Sequence, residues 1–111
     1  MLTRNRCHLI LCDIAPLGIA VGLHSGVPTV LIENFTWDYI YAGYPVLAAK
    51  MKGHIDYLRR MFAAADHKIQ TEPVCFRRDA DLTVGPVSRE FRSNRAETRR
   101  RLRIPMSQNA V

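Results

Sequence analysis

The stretch HLILCDIAPLGIAVGLHSGVPTVLIE, residues 8–33, decides the fold because it holds two apolar runs separated by a helical pattern. The runs, HLILC at 8–12 and TVLIE at 29–33, are continuously apolar, which is typical of strands covered on both faces of a parallel sheet. Between them, Pro16 suits a first helical turn and Gly26 suits a helix end. The stretch therefore predicts a right-handed βαβ unit whose two strands are adjacent, parallel and buried.

The composition is that of a single globular domain. The chain has 111 residues, of which 48% are hydrophobic and 23% are charged, and its net charge is +6. Its longest apolar stretch, IAPLGIAVGL at 14–23, is interrupted by Pro and Gly and is shorter than the roughly 20 residues that a membrane-spanning helix needs. The first residues lack the cleavage site of a signal peptide. We therefore predict a cytoplasmic protein without a membrane span.

Cysteine and glycine spacings argue against a metal site, a disulfide framework and a cofactor site. Cys7, Cys12 and Cys75 are an odd number without a C-x-x-C spacing. The segment GIAVG at 18–22 lacks the Gly-x-Gly-x-x-Gly spacing of a dinucleotide-binding loop. We predict no metal and no cofactor within these residues.

The remaining pattern extends the α/β reading. TWDYIYAG at 36–43 predicts a short helix capped by Thr36 or Asn34, and a longer amphipathic helix follows, from about Leu47 to Ala65. HKIQT and DLTVG are short strand candidates. Asn94, with Glu97 three residues later, predicts a helix over residues 95–103.

Polar side chains close both strands of the βαβ unit. Asp13 follows the first strand, and Glu33 and Asn34 close the second. In an open parallel sheet, ligands bind in the crevice beyond the carboxyl ends of the strands. We therefore expect a binding crevice at this edge.

Four segments together resemble the later part of the N-terminal domain of GT-B-type glycosyltransferases. The segments are CDIAPLGIAVGLHSGVPTVLIENFTWDYIY at 12–41, ADHKIQTEPVC at 65–75, LTVGPVSR at 82–89 and ETRRRLRIP at 97–105. The chain is most similar to the MurG-like group and to the glycosyltransferase-like part of plant arabinokinases. The core Asn-Phe-Thr-Trp-Asp at 34–38 is the most specific part of the match.

The resemblance implies a partial Rossmann-like sheet that binds the acceptor of a sugar transfer. Residues 1–93 would form this acceptor-side domain, and residues 94–111 would form a basic helix leading to a second domain that binds the nucleotide-sugar donor. We therefore expect a fragment that is inactive alone and that, when completed, transfers a sugar from a nucleotide-sugar donor to a hydroxyl acceptor. The expected substrate-binding residues are Asp13, Asn34, Thr36, Trp37 and Asp38.

Several of these residues admit a structural interpretation as well. Asp13 is a candidate general base for the acceptor hydroxyl, and it is equally a candidate cap of the following helix. Trp37 and Asp38 would form a sugar-facing platform with a polar partner, or a packed ring beside a carboxylate that stabilises a helix N-terminus. Asn34 favours a binding role, since a short amide at a strand end has little packing purpose.

Two other classes of function compete with sugar transfer. The basic C-terminal segment is compatible with a nucleic-acid-binding module, although only Phe91 supplies an aromatic ring there and a solvated helix face explains the charge as well. The third reading is a non-catalytic, truncated interaction fragment. The arginines that would contact phosphates are Arg89, Arg92, Arg95, Arg99, Arg100, Arg101 and Arg103.

Overall fold

The computed structural model describes residues 7–88 and 93–107, which form four strands and five helices. The strands carry the longest-range contacts and the helices connect or flank them. In chain order the elements are β1 (Ile10–Asp13), α1 (Pro16–Ser25), β2 (Thr29–Glu33), α2 (Trp37–Ala42), α3 (Pro45–Lys50), α4 (Lys52–Ala63), β3 (His67–Thr71), β4 (Leu82–Val84) and α5 (Arg95–Arg101).

All four strands lie parallel in one sheet, in the order β1-β2-β3-β4. Ile10 of β1 is opposite Thr29 of β2, and Val30 is opposite His67 of β3. The predicted pairing of the first two strands and the α/β class, a partial Rossmann-like parallel sheet, are confirmed. None of the helices in the described ranges is long and apolar enough to cross a membrane.

Helix α1 begins and ends where its sequence indicates. Pro16 occupies its first turn, and Gly26 closes it in the left-handed region at φ 67°, with its N–H donating to the carbonyl of Gly22. Gly22 also lies against β2: a Cβ built there would be 2.1 Å from Cγ2 of Thr29. Only a residue without a side chain therefore lets α1 approach the sheet this closely.

The core lies where α1 and α4 cover one face of the sheet. Its buried members are Cys12 of β1, Ile19 of α1, Leu31 of β2, and Phe62 and Ala65 at the end of α4 and just after it. Cys12 and Leu31 are opposite each other in the β1–β2 pair, so their side chains lie on the same face. This small cluster joins the two helices to the first two strands.

The expectation that both strands of the βαβ unit are buried is correct for β2 and wrong for β1. Every residue of β2 is buried or half-buried. In β1 only Cys12 is buried, and the side chain of Leu11 is 64% exposed. The reason is position: in the described part of the chain β1 is an edge strand, and a neighbouring strand covers it from one side alone. A continuous apolar run does not distinguish these two positions.

The long amphipathic helix is interrupted. The structure has α3 and α4 in its place, with Met51 between them at φ −102°, ψ 13°.

The two C-terminal strand candidates are confirmed as β3 and β4. Asn94 caps α5 by accepting a hydrogen bond from the N–H of Glu97 at 2.8 Å, as predicted, and α5 ends at Arg101 rather than Arg103. The division into residues 1–93 and 94–111 stays a prediction.

Candidate functional site

Asp13 lies at the carboxyl end of β1 with an exposed carboxylate. The next residue, Ile14, has φ 49° in the left-handed region, and its N–H donates to the carbonyl of Ile32 at 3.1 Å. Helix α1 is capped at Ala15 without a side-chain hydrogen bond. The helix-cap interpretation of Asp13 is therefore wrong, and its carboxylate forms no hydrogen bond or ion pair with the described residues.

Asn34 follows β2 at the same edge, one position after Glu33. Its backbone carbonyl accepts a hydrogen bond from the N–H of Cys75 at 2.8 Å, which ties it to the loop after β3. The residue is half-buried, and its side-chain amide has no partner in the described part of the chain. Asn34 thus presents an unpaired amide from a backbone that is held in place.

Thr36 and Asp38 lie beneath the surface, 1% and 2% exposed. Thr36 is the residue at the N-cap position of α2. Its hydroxyl accepts a hydrogen bond from Nη2 of Arg78 at 2.7 Å and makes no capping hydrogen bond with the first turn of the helix. Oδ2 of Asp38 is 3.6 Å from Arg78 Nη2 and 3.7 Å from Arg59 Nε. Both side chains therefore fasten α2 to its neighbours, and neither is exposed at the surface.

One oxygen of this buried carboxylate is left over. Oδ1 of Asp38 is fully buried and has no hydrogen-bond partner among residues 7–88 and 93–107. An unpaired buried oxygen normally costs free energy, so the two arginine charges are what stabilises the carboxylate there. Arg59 comes from α4 and Arg78 from the segment between β3 and β4. Asp38 therefore joins three separate parts of the chain.

Trp37 is the aromatic residue of the candidate site that solvent reaches. Its side chain is 39% exposed. The Phe35 ring meets it edge-on at 5.2 Å, and the Tyr41 ring stacks on it at 5.9 Å with 25° between the planes. The two neighbours fix the orientation of the indole while part of its surface stays open. Trp37 is thus neither a buried core ring nor an unsupported one.

Sequence reasoning missed the residues that organise this region from β3 and the loop after it. Gln70, fully buried in β3, donates from Nε2 to Oε1 of Glu33 and to the carbonyl of Phe76, both at 3.1 Å. The guanidinium of Arg78 lies 5.6 Å from the centre of the Phe76 ring, which stacks on Tyr39 at 5.4 Å. A glutamine inside a short strand was the available signal, since a buried amide needs polar partners nearby.

Another pocket and a basic segment lie elsewhere in the described part of the chain. An open pocket of about 580 Å³ lies at the C-terminal end of α2, lined by Tyr39, Ile40, Ala42, Gly43 and Tyr44. Within the described ranges, no three His, Cys, Asp or Glu side chains come together as a metal site would need. In the basic segment, Arg99 is buried and donates to the carbonyl of Pro105 at 2.6 Å. Arg89, Phe91 and Arg92 lie outside the described residues.

No protein-family model, curated protein or solved structure matches this chain. The resemblance to GT-B glycosyltransferases therefore stays a prediction from the sequence. The structure adds the surroundings of each residue: Asp13 and Asn34 have side chains without partners in the described part of the chain, Trp37 is partly exposed, and Thr36 and Asp38 are buried against Arg78.

Proposed function

We propose that the carboxyl edge of the sheet binds a sugar or other hydroxyl acceptor, and that the chain is the acceptor side of a GT-B-type glycosyltransferase using a nucleotide-sugar donor. The observation that carries the proposal is that Asp13 and Asn34, at the carboxyl ends of the adjacent strands β1 and β2, have side chains with no partner in the described part of the chain, while Trp37 at the start of α2 is partly exposed. Polar groups at a strand end that serve neither packing nor capping are suited to a ligand.

Each of the three residues has a chemical part in acceptor binding. The indole face of Trp37 offers an apolar surface for the C–H face of a pyranose ring. The amide of Asn34 donates to one hydroxyl and accepts from another. Asp13 accepts a hydrogen bond from the nucleophilic hydroxyl and, in the completed enzyme, takes its proton as the acceptor oxygen bonds to the anomeric carbon of the sugar and the bond from that carbon to the donor phosphate breaks, which releases the nucleotide.

Thr36 and Asp38 act through α2 in this proposal. Arg78 holds both of them, so the first turn of α2, which carries Trp37, is fixed relative to the loop after β3. An acceptor site needs such fixed side chains, because mobile ones lose conformational freedom when the ligand binds. We therefore treat Thr36 and Asp38 as positioning residues rather than ligand contacts.

The experiment uses the fact that Trp37 is the only tryptophan of the chain. Its fluorescence is titrated with a panel of methyl glycosides of common hexoses and hexosamines. Acceptor binding is expected to change the emission until the site is saturated. The expected dissociation constants are in the millimolar range, which corresponds to a binding free energy of about −4 kcal/mol. Asn34→Ala and Asp13→Asn should each weaken binding several-fold without a change in the melting temperature.

The matched control is Asp79→Asn, an exposed aspartate near the amino end of β4, at the opposite edge of the sheet. It should bind the same glycosides as the unmodified chain does. Equal affinity of the Asn34→Ala variant, in a protein with an unchanged melt, would remove the candidate site. Salt-sensitive binding of generic DNA or RNA, together with no response to any glycoside, would instead favour the nucleic-acid-binding alternative.

A further inference from the structure

The outer edge of β1 has no partner strand in the described part of the chain. β1 pairs only with β2, on its inner side. The N–H groups of Ile10 and Ile14 donate to the carbonyls of Pro28 and Ile32, toward β2. Because backbone groups alternate in direction along a strand, the N–H and C=O of Leu11 lie in the plane of the sheet and point away from β2. An unpaired strand edge of this kind is a template for another strand.

The side chains along this edge favour a strand of the same kind. Leu9 and Leu11 are exposed apolar residues, and the only charge of β1 is on Asp13 at its carboxyl end. Two parallel copies would place both Asp13 carboxylates side by side, which is unfavourable. Two antiparallel copies separate the carboxylates by the length of the strand and place each opposite Leu9 of the other copy. The charge distribution therefore selects antiparallel pairing.

We propose that the chain forms a two-fold symmetric dimer in which the β1 edges of two copies pair antiparallel and join the two sheets into one of eight strands. The two-fold axis passes beside Leu11, since this alignment uses every outward-pointing residue from Leu9 to Asp13 on both copies. Such an isologous interface closes on itself and stops at two copies. It also places the two α1 helices on the same face of the joined sheet.

The alignment makes a quantitative statement about one pair of residues. Leu11 lies directly opposite Leu11 of the second copy as a hydrogen-bonded pair, whose Cα atoms are about 5.5 Å apart in antiparallel sheets. That Cα separation falls within the roughly 4.4–6.8 Å spanned by disulfides, and the Cβ atoms of such a pair, about 5.5 Å apart, need a small local shift to reach the roughly 3.5–4.5 Å of a disulfide. Leu9 is displaced by four residues from Leu9 of the second copy, about 13 Å at the rise of a strand. Cysteines at the two positions therefore report the register.

The opposite edge of the sheet supplies a built-in comparison. β4 has only three residues, and its Leu82 is 51% exposed, similar to Leu11. Asp81 immediately precedes it and Gly85-Pro86 follow, so the edge is short, charged at its start and closed by a residue without an N–H. A lysine at either leucine adds the same charge to an exposed edge strand, and only the β1 position lies in the proposed interface.

The first test measures the mass of the full chain by sedimentation over a range of concentrations. We expect a concentration-dependent monomer–dimer equilibrium for the unmodified chain and for Leu82→Lys. Leu11→Lys should raise the dissociation constant about tenfold or more, because it places two like charges opposite each other in place of two apolar side chains. The proposal would be overturned if the unmodified chain stayed monomeric at every concentration, or if both lysine substitutions raised the dissociation constant of the dimer equally.

The second test fixes the register in a Cys7→Ser, Cys75→Ser background, which leaves only the buried Cys12. Under mild oxidation, Leu11→Cys should give a covalent dimer, and Leu9→Cys should give at least several-fold less. Equal cross-linking at both positions, or a ladder of higher species, would show non-specific edge association and refute the two-fold pairing. Melting curves of the reduced variants exclude loss of folding as the cause of either result.

Discussion

Two helical glycines of this chain should respond differently to replacement by alanine: Gly22→Ala should lower the stability and Gly53→Ala should not. Gly22→Ala places a methyl group 2.1 Å from Cγ2 of Thr29 and 2.8 Å from the carbonyl oxygen of Val27. Ordinary carbon contacts need about 3.5–4.0 Å, so α1 or β2 must move by more than 1 Å. Overpacking of this kind costs about 1–3 kcal/mol, against a helix-propensity gain of about 0.5–1 kcal/mol. A Cβ on Gly53 meets nothing within 4 Å, so Gly53→Ala keeps the gain alone.

The assay is equilibrium unfolding of both variants by urea and by heat, followed by circular dichroism. We expect Gly22→Ala to lose about 1–2 kcal/mol, or roughly 4–8 °C in melting temperature for a chain of this size, and Gly53→Ala to be unchanged or more stable. If Gly22→Ala is as stable as the unmodified chain, α1 does not approach β2 as closely as the structure has it. If both variants lose stability equally, contact with Thr29 is not the cause.

Three further predictions concern charge, thiol reactivity and the arginine pair. The backbone N–H and the hydroxyl of Thr29 donate hydrogen bonds to the Asp66 carboxylate and lower its pKa. The ionised carboxylate therefore contributes its full stabilisation above the unfolded pKa of about 3.9, and this stabilisation is lost as the pH falls through the lower folded pKa. Asp66→Asn should lower the melting temperature at pH 7 and have progressively less effect below pH 4. Burial raises the pKa of the Cys12 thiol, so Ellman's reagent should label exposed Cys75 at least tenfold faster in the folded chain, and equally fast rates would contradict the core. Arg78→Ala should destabilise the chain by about 2 kcal/mol or more, because it leaves the buried Asp38 carboxylate with Arg59 alone. Arg77→Ala, which removes an exposed ion pair with Glu72, should cost less than about 1 kcal/mol. Equal losses would show that the ion pair between Arg78 and the buried Asp38 contributes no more than an exposed one.

The elements that the sequence predicts well are those whose pattern is local. β2 and α1 follow from a continuous apolar run, Pro16 and Gly26, all within a single stretch. The break at Met51 does not, because Leu47, Met51 and Ile55 recur every fourth residue straight through it. A helical period continues across two helices that are joined nearly end to end, so periodicity alone cannot reveal the interruption.

The strand ends that carry the candidate residues were predictable from the sequence, but the burial of the residues that follow them was not. Asp13 and Asn34 lie at the carboxyl edge because strand ends are visible in the sequence. The burial of Thr36 and Asp38 depends on Arg78, which is 42 residues from Thr36 along the chain. No local pattern indicates such a partner. The exposure of β1 could not be predicted for a similar reason: a run of apolar residues does not indicate whether a strand is central or at the edge of a sheet.

The proposed acceptor site and the proposed dimer interface share Asp13, and each also has a residue of its own, which makes the two proposals separable. Asp13 closes the candidate crevice, and in the dimer it lies opposite Leu9 of the second copy, whereas Asn34 belongs to the crevice alone. Asn34→Ala should therefore weaken glycoside binding without changing the dissociation constant of the dimer, and Leu11→Lys should do the reverse. Asp13→Asn should change both, because it alters the acceptor carboxylate and the only charge on the paired strand. Glycoside titrations below and above the dimer dissociation constant distinguish the contributions: a change in affinity with protein concentration that Leu11→Lys abolishes would mean that pairing of the β1 edges alters the crevice.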